Sequence, residues 1–240
     1  MLLDLKVFEE LNFHGVAILT ALTAQNTEKV KKIFCIPPDF LWTQYTTLKE
    51  DMSISGIKVG MAGCRDTIEV IKKILAENRN IPIVVDPVFK SSSGTWLIEK
   101  NSVNYYIENI RSLASILTPN TDEAEMISGI KITRREKMED AAAHIFSLAK
   151  IPCVIKGGKF KSTIVDTLYD GREFHYYEKE KIEKEVHGTG CFFSSILLCF
   201  LAQGKPLKEA CLLSSQLTHQ AREKSIKIGR GQNIISFPLE

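Results

Sequence analysis

No apolar stretch in the 240-residue chain is long enough to span a bilayer. No CxxC pair occurs among the six cysteines, at 35, 64, 153, 191, 199 and 211. That speaks against a zinc site or a disulfide framework and for reduced thiols in the cytoplasm. Cys35, Cys153, Cys199 and Cys211 are read as core. Neither sign of charge dominates: 31 Lys and Arg face 29 Asp and Glu, a net charge of +2. No basic face is implied, so nucleic acid is not an expected partner, and neither is a membrane. The short basic patches Lys29-Val30-Lys31-Lys32 and Lys179-Glu180-Lys181 are read as solvated surface. The N-terminal Met1-Leu2-Leu3-Asp4-Leu5-Lys6 carries an acid too early for a signal peptide. Repeats, low-complexity tracts and an interdomain linker are all lacking, which predicts one domain over 1–240.

What is present is an ordinary globular composition, 44% apolar and 25% charged, long enough to bury a large core. Apolar runs of strand length alternate with helical periodicity. Helices are predicted over 5–13, from Pro37-Pro38-Asp39 to about Asp51, from an Asp66 cap to about Asn78, and at 95–98 and 101–110. Further helices are predicted from Thr121 to Gly129, over 134–149, after Gly190 as far as Gly204, and over about 207–224. Residues 16–23 read as a buried strand, as do 56–61, 81–87, 114–118 and 153–158. Asp170-Gly171 between two β-rich runs signals a hairpin. The pattern predicts an α/β fold of three layers, αβα, with a mostly parallel sheet. Ligands of such sheets collect at the carboxyl ends of the strands. Gln25, Met61, Asp86, Asn120, Glu123 and Lys156 fall there.

The stretch His187-Gly188-Thr189-Gly190-Cys191, followed by the apolar run 192–202, reads as a glycine loop opening a helix. The unpaired amides and the helix dipole make such a start an anion site, and a thiol in the first turn ionises more easily. The same residues also suit a loop that merely starts a buried helix.

Each candidate has a plainer alternative. Asp86, ending an apolar strand, suits Mg²⁺ or a turn before Pro87. Asn120 and Glu123 suit a metal and phosphate site or a capping box, and the two roles are compatible. Lys156 is a point charge for phosphate or a surface lysine. Gln25 can bond a heterocycle's edge or close a turn, and Met61 taken singly reads as packing. The five histidines form no constellation, and His187 reads as a loop residue. In order along one α/β chain, however, the set describes phosphoryl transfer.

Taken together, these stretches resemble the ribokinase-like superfamily, in its hydroxymethylpyrimidine/phosphomethylpyrimidine kinase branch. The similarity rests on Asp4-Leu5-Lys6-Val7-Phe8, the run 20–27, Lys58-Val59-Gly60-Met61, Val84-Val85-Asp86-Pro87-Val88, Leu117-Thr118-Pro119-Asn120 with Glu123, Ile155-Lys156-Gly157-Gly158 and His187-Gly188-Thr189-Gly190-Cys191. Other ribokinase-like enzymes carry Asp at the position of Cys191. The resemblance implies that Cys191 is the base or the group beside the substrate hydroxyl, with the Gly188, Thr189 and Gly190 amides stabilising the transferring phosphoryl group. It implies Asp86 and Glu123 on Mg²⁺, Asn120 and Lys156 on the ATP phosphates, Gln25 on the aminopyrimidine edge and Met61 on its ring. It further implies a homodimer. A pyridoxine or pyridoxal kinase of the same branch and a non-catalytic pyrimidine- or nucleotide-binding protein are the alternatives. Against the family pattern, an N-terminal strand with its Gly/Ser-rich loop is expected to be missing. Phe89 replaces a Met, and a Lys near Ser92-Ser93-Gly94 is absent.

Overall fold

The computed structural model describes residues 1–236. Helix α1 (Leu2–Glu10) leads into a hairpin of β1 (Ala21–Gln25) and β2 (Val30–Cys35). Then follow α2 (Pro38–Asp51), β3 (Ile57–Val59), α3 (Arg65–Glu77), β4 (Ile83–Val85), α4 (Val103–Ile110) and β5 (Ile116–Leu117). The chain continues with α5 (Thr121–Ser128), α6 (Arg135–Ala149), β6 (Cys153–Phe160), β7 (Thr163–Tyr169) and β8 (Phe174–Glu180). It closes with β9 (Val186–His187), α7 (Thr189–Ala202), α8 (Leu207–Glu223) and β10 (Asn233–Ile234).

The central sheet runs β3-β4-β5-β6-β7-β8, parallel as far as β6 and antiparallel beyond. Successive side chains of a strand point to opposite faces. Ile83 and Val85 of β4 therefore join one core with α3, α4, α5 and α6, while Val84 joins the other with α1, α7 and α8. Ile116 and Leu117 of β5, and Val154 and Ile155 of β6, divide in the same way. Strands covered on both sides read as continuous apolar runs, which is why β4 carries no alternation. This is the three-layer αβα architecture that the sequence predicts.

Three expectations are corrected. Residues 16–23 are not a strand of the central sheet: only 21–25 are extended, in a hairpin of its own whose β1 is largely exposed. The turn is made by Asn26, whose Oδ1 accepts from the amides of Glu28 (3.0 Å) and Lys29 (2.9 Å). No helix forms at 95–98; Trp96 instead makes an antiparallel bridge to Lys90. Helix α3 is capped by Cys64, not Asp66, through a reciprocal arrangement with Thr67.

Candidate active site

The parallel ladder continues past the strand ends and sets the site residues side by side. The Asp86 amide donates to the Val59 carbonyl (2.8 Å), Thr118 to Val85 (2.9 Å) and Lys156 to Pro119 (2.9 Å). Asp86, Thr118, Asn120 and Lys156 thus share one rim. Lys156 Nζ donates to Asp86 Oδ1 at 2.7 Å, and both side chains are buried. Thr118 Oγ1 donates to the same oxygen (3.3 Å), and Ser194 Oγ donates to Asp86 Oδ2 (3.2 Å).

Ser194 belongs to α7, so the helix is tied directly to the rim. Gly188 starts that helix in the left-handed region (φ +86°), where a side chain would be strained, and the Phe192 amide closes the first turn on its carbonyl. The amides of Thr189, Gly190 and Cys191 precede that bond and have no helical partner. A β-carbon on Gly190 would lie 3.3 Å from Lys156 Nζ and 3.8 Å from Asp86 Oδ2. The amide cluster, the lysine and the aspartate therefore meet at one point.

Asn120 caps α5. Its Oδ1 accepts the Glu123 amide (2.9 Å), and Glu123 Oε2 accepts the Asn120 amide (2.8 Å). The capping alternative is thus realised, yet Glu123 is also buried beside charge. Burial and then the Asp86 carboxylate push its pKa up to about 8, against the pull of Lys156. The Tyr106 hydroxyl, buried and acted on by both carboxylates, has no hydrogen-bond partner among the described residues. Two buried acids that repel each other, with an orphaned oxygen nearby, make a donor set suited to a hard cation that keeps several of its waters.

Cys191 behaves differently from the expectation of an easily ionised thiol. Burial raises its pKa, and the Lys58 ammonium opposes that without cancelling it. Lys58 is a site residue that the sequence reading missed. Its side chain is 5% exposed and donates to Asp4 Oδ1 (2.5 Å), which also accepts from Ser195 Oγ (2.8 Å) one turn beyond Cys191. The signal was a lone lysine inside the strand Gly56-Ile57-Lys58-Val59. Such a lysine needs a buried carboxylate.

Asn120, Lys156, Thr189 and Gly190 line one cavity of about 510 Å³. Lys179, Lys184 and Arg222 add positive charge to its wall, and the buried Arg222 Nε has no hydrogen-bond partner among the described residues. Lys179 is therefore not the solvated lysine expected from its patch; its side chain is 13% exposed and ion-paired with Asp166. His187 also does more than fill a loop, since its Nδ1 meets Ser92 Oγ at 2.8 Å.

The two proposed pyrimidine contacts sit on the hairpin and just past β3. Gln25 is exposed at a bulge of the hairpin, opposite Val30. Met61 is half-buried just past β3, and its carbonyl accepts from Thr20 Oγ1 (2.6 Å), which moors the root of the hairpin there. No hydrogen bond or ion pair among the described residues joins either side chain to Cys191 or Asp86. Cys35, read as core, is half-buried beside Cys64 at that root, where burial and the second thiol push its pKa up to about 12.

A family model for phosphomethylpyrimidine kinase matches residues 1–236. The hydroxymethylpyrimidine/phosphomethylpyrimidine kinase of Aquifex aeolicus is 35% identical over 98% of this chain and 93% of its own length. A bifunctional thiamine biosynthesis protein of Geobacter sulfurreducens is 37% identical over 98% of this chain, which spans 49% of that protein. Among solved structures, pyridoxal kinase of Bacillus subtilis in complex with ADP aligns with a TM-score of 0.86 at 30% identity, covering 97% of this chain and 90% of that one. Phosphomethylpyrimidine kinase of Clostridium difficile aligns with a TM-score of 0.76 at 33% identity, over 91% and 90%. The chain belongs to the phosphomethylpyrimidine kinase family and has its ribokinase-like αβα fold.

Proposed function

We propose that the protein transfers the γ-phosphoryl group of ATP to the hydroxymethyl group of 4-amino-5-hydroxymethyl-2-methylpyrimidine, and then phosphorylates the resulting monophosphate. The observation that carries this reading is the meeting of Lys156, Asp86 and the Gly188–Cys191 amides at one point beside a basic cavity. Phosphoryl transfer asks mainly for positioning and for charge stabilisation, and this cluster is built for both.

In this reading the cavity holds the nucleotide, with Asn120 and Lys156 at its phosphates. The amides of Gly188, Thr189 and Gly190 receive the equatorial oxygens of the moving phosphoryl group. Asp86 and Glu123 would hold Mg²⁺, which would supply positive charge to offset that of the phosphates. The pyrimidine hydroxyl oxygen bonds to the γ-phosphorus as the bond to the β–γ bridging oxygen breaks. The hydroxyl proton passes to the Cys191 sulfur, whose thiolate Lys58 favours. Gln25 reads the aminopyrimidine edge and Met61 packs on the ring once the hairpin lies over the site.

The protein acts in the cytoplasm, where its free thiols stay reduced, and as a homodimer. Leu22 and Phe34, paired across the hairpin and about half-exposed, together with Phe40 offer an apolar surface to a second copy. A second reading, pyridoxal phosphorylation, is favoured by the TM-score of 0.87 to pyridoxal kinase of Staphylococcus aureus bound to AMP-PCP and pyridoxal, at 28% identity. A coupled ADP-release assay on hydroxymethylpyrimidine, its monophosphate and pyridoxal separates the two. Faster turnover of both pyrimidines supports the first reading, and faster turnover of pyridoxal replaces it with the second.

A further inference from the structure

One buried carboxylate outside the cluster ties together most of the nucleotide side of the site. Asp166, in the middle of β7, is 3% exposed. Its Oδ1 accepts the Gly157 amide at 2.8 Å, and its Oδ2 accepts Ser215 Oγ of α8 at 2.6 Å and the Lys179 ammonium of β8. Lys179 also donates to Ser215 Oγ (2.5 Å), which closes a three-membered network. Four elements, β6, β7, β8 and α8, thus converge on one side chain.

The bond to Gly157 falls where β6 is irregular. Pairing between β6 and β7 shifts register between Ile155 and Gly158, and Gly157 turns through the left-handed region at φ +74°. That bulge lets Lys156 leave β7 and bridge to Asn120 across the rim. The Gly157 amide has lost its ladder partner there, and Asp166 supplies another. Gly157, Asp166 and Lys179 all line the same cavity as Asn120 and Lys156. A carboxylate in a phosphate-binding cavity would repel the ligand, but this one is neutralised by Lys179 and turned toward the backbone.

We propose that Asp166 is the positioning residue of the nucleotide site. It holds the Gly157 bulge, and through it Lys156, in the geometry that receives the ATP phosphates, and it keeps Lys179 docked against α8. The proposal rests on reading this cavity as the ATP site. A residue that merely stabilised the fold would affect both ligands alike, whereas Asp166 acts on the nucleotide alone.

The test is calorimetric titration of AMP-PCP and, separately, of hydroxymethylpyrimidine into the wild-type chain and its variants. Asp166→Ala is expected to weaken AMP-PCP about tenfold and to leave pyrimidine binding within about twofold. Asp166→Asn keeps an acceptor for Gly157 but not the charge for Lys179, and is expected to weaken AMP-PCP only about threefold. If Asp166→Ala does not fold, Asp166→Asn against wild type decides. Unchanged AMP-PCP affinity, or an equal loss for both ligands, overturns the proposal while the nucleotide reading stands. A folded wild-type chain that does not bind AMP-PCP overturns both.

Discussion

Cys191 and Glu123 carry the sharpest expectations for single residues. Burial keeps the Cys191 thiol protonated, so the proposed base works from its minor thiolate form. The rate is therefore expected to climb with pH into the alkaline range. Cys191→Ala should lose most activity with an unchanged circular dichroism spectrum. Cys191→Asp, with a carboxylate in the same place, should retain turnover and move the climb to lower pH. A pH–rate profile of the three proteins checks this, and identical profiles for wild type and Cys191→Asp would remove Cys191 from proton transfer.

Glu123 yields a stability prediction whose sign follows from its raised pKa. The folded state holds the proton up to about pH 8, whereas the ordinary value is 4.5. The stabilising contribution of the protonated form is complete below pH 4.5 and is lost as pH rises toward 8. Melting temperature without Mg²⁺ should thus fall across that window more steeply in wild type than in Glu123→Gln. Added Mg²⁺ binds the ionised form, so its stabilising effect should grow with pH in wild type and shrink in the variant. Parallel curves would show that Glu123 neither titrates there nor holds the ion. Beneath Cys191, Lys58→Met leaves the Asp4 carboxylate with only the Met1 ammonium (2.9 Å) and the Ser195 hydroxyl, at an expected cost of about 1–3 kcal/mol in urea unfolding.

Among elements, the start of α7 does the most. Gly188 lies at φ +86°, and a β-carbon there would come within 2.7 Å of Leu3 Cδ2. Gly188→Ala is expected to cost about 1–2 kcal/mol. Because the displaced turn presents the amides proposed to receive the phosphoryl group, kcat should fall by more than the stability loss explains. Chemical denaturation and steady-state kinetics on one preparation check both halves.

Elements with local chemical punctuation were legible in the sequence. Pro38 opens α2 where proline at the first turn predicts, Gly129 ends α5 in the left-handed region, and Asp170-Gly171 turns β7 into β8. The hairpin of β1 and β2 was not, because its apolar run looks like that of a central strand. What differs is that β1 is left largely exposed, which only tertiary structure reveals. The Cys64 cap was hidden for a related reason: sulfur is an uncommon capping atom, and Asp66 two residues on offered a commoner one.

At the scale of the whole molecule, the parallel sheet turns a sequence of strand-end residues into a rim. Asp86, Asn120 and Lys156 were readable from position alone, since each follows an apolar run, although β6 continues beyond Lys156 to Phe160. Their partners were not, because Lys58 with Asp4 and Lys179 with Asp166 pair across 54 and 13 residues of chain. The hairpin bearing Gln25 belongs to the same scale. It is rooted at Met61 through Thr20, and at its tip the Gly231 amide donates to Thr27 Oγ1 (3.3 Å). The proposed pyrimidine contacts at Gln25 and Met61 thus depend on where this hairpin is held. Gln25→Ala is expected to raise KM for hydroxymethylpyrimidine with little change in KM for ATP.

The most direct measurement is mass spectrometry of the products formed from hydroxymethylpyrimidine, ATP and Mg²⁺ by the folded protein. The account predicts the monophosphate first and the diphosphate after it, neither accumulating with Cys191→Ala. A wild-type chain that binds AMP-PCP yet leaves the pyrimidine unphosphorylated would contradict it.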